Sequence, residues 1–247
     1  MIQIDKSLVN ALKESESIVF FTGAGISSES GIPTFRGKDG IWNKLRPEEL
    51  ANFDAFIKNP IMVWEWYNHR KKIVHEAQPN AAHLTISEMQ NYFKDVIVIT
   101  QNIDNLHRRA GSNAIYELHG NIERNFCIDC KKFFNEELDF SVGVPKCDCG
   151  GLIRPDVVWF GEYLPEDQFL GGEKAAINAD VFFVVGTSAV VYPAVGLVYT
   201  AKQSGATVVE VNLEKTALSS ISNYSFFGKA GEILPRILEE YRLSRKS

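Results

Sequence analysis

The sequence GAGISSESGIPTFRG, residues Gly23–Gly37, gives the first strong indication of the architecture. It follows Ile18–Phe21, an apolar run of β-branched and aromatic residues with the length of a buried strand. The glycines on either side of Ala24 let the backbone approach a ligand closely, and Ser27–Glu29 suits the start of a helix. A strand, a glycine turn and a helix start are the parts that hold the pyrophosphate of a dinucleotide on free backbone N–H groups.

The glycine spacing departs from the usual dinucleotide fingerprint. The pattern G-x-G-x-x-G has its third glycine where this chain has Ser28, and the next glycine is Gly31. Spacing alone leaves two interpretations open, a nucleotide site and a tight structural turn. The tail Pro33–Gly37 favours a cofactor loop, because it keeps an aromatic ring and an arginine beside the expected phosphate site.

The composition is that of an ordinary globular protein. The 247 residues are 45% hydrophobic and 23% charged, which allows one large domain or a domain with a small insert. A net charge of -5 and a pI near 5.6 provide no basic field for nucleic acid or for an anionic membrane. We therefore expect no direct nucleic-acid partner and no membrane partner.

The sequence also favours a cytoplasmic location. Its N-terminal residues lack the basic start and apolar core of a signal peptide. Val181–Ala201 carries no formal charge over a length that could cross a bilayer, but polar, glycine and proline residues interrupt it after Val185. A buried strand, a turn and a helix starting near Pro193 fit this segment better than a membrane span.

Small or polar residues follow each predicted strand. In open α/β sheets the ligand lies at the carboxyl ends of parallel strands, so these residues are expected to line one site. Strands separated by helical segments predict an α/β fold with a Rossmann-like doubly wound parallel sheet. Besides Ile18–Phe21, the strands and the residues after them are Asp95–Thr100 with Gln101–Asp104, Val181–Val185 with Gly186–Ser188, and Thr207–Val211 with Asn212–Glu214.

Helical patterns fill the segments between the strands. The aromatic-rich residues 38–80 predict a small helical module after the cofactor loop, with most of its rings in the core. A helix is predicted over residues 5–15, with Leu8, Val9 and Leu12 facing the core. A second is predicted over Asn80–Phe93, with Asn80 as cap and with Leu84, Ile86 and Met89 as packing positions. A third is predicted over Glu232–Arg242.

All four cysteines fall in one short region, as Cys127-x-x-Cys130 and Cys147-x-Cys149. Two close pairs joined by a short loop can bring four thiolates to one tetrahedral metal, and zinc is the usual ion. Two disulfides would need an oxidising compartment, and a redox CxxC would not need the second pair. We predict one structural zinc that stabilises an insert over residues 123–154, which is too small to fold around a core of its own.

Two further features could carry chemistry. His119 lies between the apolar stretch Ile115–Leu118 and Gly120, a position that suits a general base, whereas the other four histidines fall in helical segments and are predicted to be solvated or packed. The segment RPDVVWFGE, Arg154–Glu162, has extended character and could pair with an extended peptide. From sequence alone, a plain edge strand is the favoured interpretation of that segment.

Taken together, these motifs resemble one family. GAGISSESGIPTFRG, QNIDNLH, ELHGN, the two cysteine pairs, WFGE, GTS before VVYPA, and NLE resemble the sirtuins, which are NAD-dependent protein lysine deacylases. The resemblance runs from about residue 17 to the C-terminal helix in the family's order. Two departures are small: the second cysteine pair is spaced CxC, and Ser28 stands where alanine is common.

The resemblance implies a role for each matching residue. His119 would be the general base, with Asn102 and Asp104 as further catalytic residues at the nicotinamide ribose and carboxamide. The acyl-lysine peptide would meet Val157, Phe160, Gly161, Glu162 and Val191. The residues expected to bind NAD are Gly23, Ala24, Gly25, Ser27, Phe35, Arg36, Trp42, Gln101, Asn102, Ile103, Asp104, Gly186, Thr187, Ser188, Asn212, Leu213, Glu214 and Ala230.

The implied reaction uses NAD as a co-substrate. Sirtuins break the bond between nicotinamide and ribose and release lysine, nicotinamide and O-acyl-ADP-ribose. Tyr67 and Arg70 form Y-x-x-R, one helical turn apart, and match members that remove acidic acyl groups, so we expect succinyl- or malonyl-lysine as substrates alongside acetyl-lysine. Two alternatives stay open: an NAD-dependent protein ADP-ribosyltransferase, and a non-catalytic nucleotide-binding zinc adaptor.

The predicted organisation has three parts. A Rossmann-like NAD-binding domain comprises residues 1–37, 81–122 and 155–247. The helical module with the cofactor-loop region covers residues 38–80, and the zinc-binding insert covers residues 123–154.

Overall fold

The computed structural model describes residues 3–35, 50–134, 138 and 143–246. Within these residues six parallel strands form one sheet: β1 Ser17–Thr22, β2 Asp95–Thr100, β3 Ala114–Glu117, β7 Val181–Val185, β8 Thr207–Asn212 and β9 Tyr224–Phe227. Their order in the sheet is β3-β2-β1-β7-β8-β9, which confirms the predicted doubly wound fold.

Neighbouring side chains of β1 point into opposite layers of the core, because strand side chains alternate between the two faces of a sheet. Phe20 stacks on Phe183 with ring centroids 4.8 Å apart, and Phe21 lies 6.2 Å from Phe182 on the other face. Both faces are covered by helices, which explains the uninterrupted apolar strands. The Phe20 face packs on helices Lys6–Glu14, Ala81–Met89 and Ala230–Lys246, and the Phe21 face on Glu166–Ile177 and Gly196–Gln203.

A smaller antiparallel sheet carries the cysteine insert. It consists of β4 Gly120–Cys127, β5 Phe133–Phe134 and β6 Ile153–Val157, in the order β5-β4-β6. Helices Phe53–Lys58 and Pro60–Glu76 pack against it around Trp64 and Trp159, and the Trp64 indole N–H donates to the Ile153 carbonyl at 2.9 Å. The helical module and the cysteine insert therefore share one hydrophobic core. The proposed division of the chain into three parts stays a prediction.

Most predicted helices form with small shifts at their ends. In Lys6–Glu14, Leu8, Val9 and Leu12 are buried as predicted, and the Asn80 side chain caps Ala81–Met89 by accepting from the Ala82 N–H at 2.9 Å. The prediction that Leu84 packs inward is wrong: it is 53% exposed, and its neighbour His83 is fully buried instead. The helix expected near Pro193 begins at Gly196, and the C-terminal helix runs from Ala230 to Lys246.

The two edge strands of the large sheet, β3 and β9, were not predicted. They have four residues each and are mostly half-buried, so they lack the continuous apolar run that marks the central strands. The segment Arg154–Glu162 is extended only in part, since β6 ends at Val157. Among the described residues, no helix is both long and apolar enough to cross a membrane.

Candidate active site

The glycine loop after β1 touches the loop after β7. The Gly25 N–H donates to the Gly186 carbonyl at 2.7 Å, and the Gly23 N–H donates to the Val185 carbonyl at 3.0 Å. A Cβ added at Gly25 would lie 2.7 Å from the Gly186 oxygen, which no side chain tolerates. Gly186 itself has φ 60, in the left-handed region that favours glycine. The two glycines are thus required for the loops to meet.

A cavity of about 440 Å³ opens beside this contact. Its walls come from the glycine loop, the end of β8 and the start of the C-terminal helix. The cavity includes five residues predicted to bind NAD, and it adds Gly228 and Lys229, which were not predicted from the sequence. Its lining residues are Gly25, Ser28, Glu29, Gly186, Val211, Asn212, Leu213, Gly228, Lys229 and Ala230.

Three polar side chains form a buried cluster behind the glycine loop. The Ser27 hydroxyl donates to Asp104 Oδ2 at 2.7 Å, and Asn102 Nδ2 donates to Ser27 Oγ at 3.2 Å and to the Gly23 carbonyl at 3.1 Å. Burial raises the pKa of Asp104, while hydrogen bonds from Leu106 N–H and Ser27 favour its charged form. The structure thus brings Ser27, Asn102 and Asp104 together, as the motif order predicts.

His83 extends this cluster from the opposite side. Its Nδ1 accepts from the Asn80 N–H at 3.3 Å, so the neutral ring carries its proton on Nε2, which lies 3.4 Å from Ser27 Oγ. Burial lowers the pKa of His83 to about 4 and that of its neighbour His107 well below the usual value. His83 was predicted to be an ordinary helical histidine. The sequence contained one indication of this position: His83 is the third residue after the cap Asn80, where a side chain can turn back to the cap N–H and complete a capping box.

His119 is hydrogen-bonded to the backbone of the segment after β2. Its Nδ1 lies 2.9 Å from the carbonyl oxygen of Gln101. A carbonyl only accepts, so Nδ1 must carry the proton, and Nε2 is the basic nitrogen of the neutral ring. The ring is half-buried at the junction of β3 and β4. This arrangement suits a general base.

The ends of three strands are joined by side-chain hydrogen bonds around Thr187. Gln101 Nε2 donates to the Thr187 hydroxyl at 3.1 Å, and Asn212 Nδ2 donates to the Thr187 carbonyl at 2.8 Å. These bonds connect β2, β7 and β8 at their carboxyl ends. The remaining predicted residues there, Ser188, Leu213 and Glu214, are exposed.

The predicted acyl-pocket pair is buried beside Phe35. Tyr67 and Arg70 are 1% and 6% exposed, and the Arg70 guanidinium carbon lies 4.6 Å from the Phe35 ring centroid. Burial raises the pKa of Tyr67 to about 12 and lowers that of Arg70. The Tyr67 oxygen accepts from Trp159 Nε1 at 2.7 Å, and Ile103 belongs to the same core.

The predicted peptide-binding residues lie on both sides of a turn. Val157 ends β6 and is buried, Phe160 is 47% exposed, and Gly161 has φ 88. The Glu162 carboxylate turns inward and pairs with Arg154. Val191 is half-buried in the loop before helix Gly196–Gln203. Two predicted NAD residues, Arg36 and Trp42, lie outside the described residues.

The four cysteines converge at the end of the small sheet. Their sulfur atoms all lie within 4.8 Å of one another, and all four thiols are free. Cys127 Sγ lies 3.5 Å from Cys149 Sγ, and Cys130 Sγ lies 3.6 Å from Cys147 Sγ. Tetrahedral zinc with Zn–S bonds of ~2.3 Å separates its sulfurs by roughly 3.8 Å, so the cluster fits this ion.

The chain is similar over nearly its whole length to known proteins. The Sir2 family profile matches residues 23–193. The NAD-dependent protein deacylases of Pyrococcus abyssi and Aquifex aeolicus are each 49% identical, over 95% and 93% of this chain and 97% of their own lengths. A Sir2 homologue mutant in complex with ADP-ribose superposes with TM-score 0.94 at 45% identity, covering 98% of both chains. A Sir2 homologue in complex with NAD has TM-score 0.91 at 46% identity, covering 98% of this chain and 95% of its own. The chain therefore belongs to the Sir2 family.

Proposed function

We propose that this chain is an NAD-dependent protein-lysine deacylase that releases nicotinamide and O-acyl-ADP-ribose. Two observations carry the proposal. The Ser27–Asn102–Asp104 cluster lies behind the glycine loop, and His119 is hydrogen-bonded to Gln101, the residue before Asn102. Family membership supports it, since relatives of the same length are named NAD-dependent protein deacylases. When bound, NAD supplies the ribose carbon whose bond to nicotinamide breaks.

Each of the clustered side chains has a definite task in this proposal. Asn102 and Asp104 hold the nicotinamide ribose and the carboxamide. Ser27 keeps both side chains in place, because its hydroxyl donates to Asp104 and accepts from Asn102. His119 Nε2 takes a proton from a ribose hydroxyl, since Nδ1 is committed to the Gln101 carbonyl. The dry surroundings of the buried cluster protect the reacting ribose from water.

The adenosine half of NAD belongs in the cavity beside Gly25. The glycine loop lets the pyrophosphate approach the backbone closely, because Gly25 has no side chain, and the start of helix Ala230–Lys246 closes the far end. Asn212 is oriented toward this space by its hydrogen bond to the Thr187 carbonyl. These contacts orient the cofactor so that its nicotinamide end faces the Ser27–Asn102–Asp104 cluster.

We assign the zinc a structural task. All four coordinating positions are filled by cysteine, which leaves no position for substrate. The ion would fix the small sheet, whose strand β6 leads directly into the segment proposed to hold the peptide. The free thiols support the predicted cytoplasmic location, because oxidising compartments favour disulfides.

Arg70 supports an acidic acyl group as one substrate class. Its guanidinium is buried, its Nε has no hydrogen-bond partner, and within the part of the chain that the structure describes no carboxylate forms an ion pair with it. Burying a cation without a carboxylate partner is costly, and its contact with the Phe35 ring leaves Nε without an acceptor, so a succinyl or malonyl carboxylate would supply one. The Tyr67 hydroxyl, which accepts from Trp159, keeps its own proton for donation to the same carboxylate.

One product assay tests the proposed function. The protein is incubated with NAD and an acetyl-lysine or succinyl-lysine peptide, and the products are identified by mass spectrometry. Free lysine peptide together with O-acyl-ADP-ribose is the expected result. Transfer of ADP-ribose to protein would favour the ADP-ribosyltransferase, and no turnover with either peptide would favour the non-catalytic adaptor.

A further inference from the structure

The ion pair between Arg154 and Glu162 closes the peptide segment into a loop. The two residues stand eight positions apart, at the two ends of RPDVVWFGE. Arg154 donates through both terminal nitrogens to the two Glu162 oxygens, and Nη2 lies 3.0 Å from Oε2. The Arg154 side chain is 3% exposed and the Glu162 side chain 29%, so the guanidinium is buried while the carboxylate keeps some access to water.

The same two side chains also hold the backbone between them. Arg154 Nη2 donates to the Val157 carbonyl at 2.7 Å, and Glu162 Oε2 accepts from the Trp159 N–H at 2.8 Å. A planar guanidinium can reach two carboxylate oxygens and a carbonyl at once, which the single nitrogen of a lysine cannot do. The pair therefore fixes the path of residues 157–162.

Arg154 also reaches the acyl pocket through one aromatic ring. Its guanidinium carbon lies 3.3 Å from the Trp159 ring centroid. Arg154 thus lies over the face of the Trp159 ring. At the edge of the same ring, the Trp159 Nε1–H donates to the Tyr67 oxygen at 2.7 Å. Trp159 is 2% exposed, so the ring lies in the core between the two contacts. A continuous series of contacts thus connects Glu162 to Tyr67.

The segment also contacts the candidate general base. The Val158 N–H donates to the His119 carbonyl at 3.0 Å, and the Phe160 N–H donates to the Ala51 carbonyl at 2.9 Å. Residues 157–162 therefore lie between His119 and the helical module. A shift in their path would displace the bound acyl-lysine relative to His119.

We propose that Arg154 and Glu162 are positioning residues for the acyl-lysine substrate, an inference that rests on the proposed function. In this proposal Glu162 acts on the peptide through the path of residues 157–162, whereas the sequence prediction has its side chain contact the peptide directly. Glu162 fixes the backbone of residues 157–162 through its bonds to Arg154 and to the Trp159 N–H, and it thereby orients Trp159 and Tyr67. Among the residues that the structure describes, no hydrogen bond joins Arg154 or Glu162 to the NAD-binding loops around Gly25 and Gly186.

The E162Q variant tests this inference. Glutamine keeps an oxygen that can accept from Trp159 N–H but places an amide N–H₂ against the guanidinium, so the pairing is lost. We expect the KM for acyl-lysine peptide to rise about tenfold or more while the KM for NAD stays within about twofold. The control is E166Q, the same substitution at an exposed glutamate four residues on, which should leave both values unchanged.

A second variant covers the possibility that E162Q folds poorly. E162D keeps the charge but is one methylene shorter, so its KM for the acyl-lysine peptide should lie between those of E162Q and the wild type. If Glu162 served only the stability of the fold, the KM for the peptide and the KM for NAD would rise together in both variants. If the wild type turns over and the KM of E162Q for the peptide lies within about twofold of the wild-type value, this inference alone is overturned. A wild-type protein without turnover would overturn the proposed function and this inference with it.

Discussion

The Ser27 hydroxyl lies 2.7 Å from Asp104 Oδ2, although the two residues stand 77 positions apart. The bond joins the glycine loop after β1 to the polar segment after β2. Both groups are buried, and Asn102 and His83 also contact Ser27. One small hydroxyl thereby connects the cofactor loop with the proposed catalytic side chains.

His83 should make stability depend on pH. Its pKa falls from 6.5 to about 4 on folding, so the unfolded chain binds more protons between these values. Stability is therefore present above the unfolded pKa and lost as the pH falls through that window, by roughly 3 kcal/mol for this residue. Urea unfolding across the window should show a shallower decline for H83Q than for the wild type. The control H75Q, at an exposed histidine, should follow the wild-type curve.

Gly25 should not tolerate a methyl group. The added carbon would lie 2.7 Å from the Gly186 oxygen, so G25A must push the two loops apart. We expect the Kd for ADP-ribose, measured by calorimetry, to rise about tenfold or more. G196A is the matched control because a Cβ there meets nothing within 4 Å. Equal affinities for the two variants would show that the loop contact is not needed for binding.

Zinc removal should destabilise the small sheet. C130S removes one of the four sulfur ligands, so bound zinc, measured by elemental analysis, should fall from one ion per chain. We expect the Tm to drop by about 10 °C or more. D148N changes an exposed residue between two of the cysteines and should keep both the ion and the Tm. Retention of zinc by C130S would contradict the proposed ligand set.

Arg70 should matter more for acidic acyl groups than for acetyl. In R70M the substrate carboxylate loses its charged partner, so kcat/KM for a succinyl-lysine peptide should fall roughly ten- to hundredfold. The value for the acetyl-lysine peptide should change by less than about threefold. K72M removes an exposed cation from the same helix and serves as the control. An equal loss for both peptides with R70M would contradict the carboxylate contact.

The sequence predicted the central strands and the loops that follow them, because long apolar runs with polar ends leave few alternatives. Asp95–Thr100 and Val181–Val185 form as predicted, and the cysteines converge as their spacing indicates. The edge strands were not predicted, since partly exposed four-residue strands carry no clear pattern.

The side chains that turn inward to contact the site residues, such as His83 and Glu162, were harder to predict from the sequence. The burial of His83 depends on which face of its helix meets the glycine loop, and helical periodicity favoured Leu84 instead. The inward turn of Glu162 depends on Gly161, whose φ of 88 reverses the chain toward Arg154. Both outcomes result from tertiary packing, which a motif does not encode.

The most direct measurement is the yield of O-acyl-ADP-ribose from NAD and an acyl-lysine peptide, compared between the wild type and H119A. The wild type should form one O-acyl-ADP-ribose per deacylated lysine. H119A should be slower by roughly a hundredfold or more, with ADP-ribose binding intact, because the base is lost and the cofactor cradle is kept. The control H69A changes an exposed histidine and should match the wild type. A wild type that forms no O-acyl-ADP-ribose, or an H119A variant with full activity, would contradict the deacylase mechanism proposed for this chain.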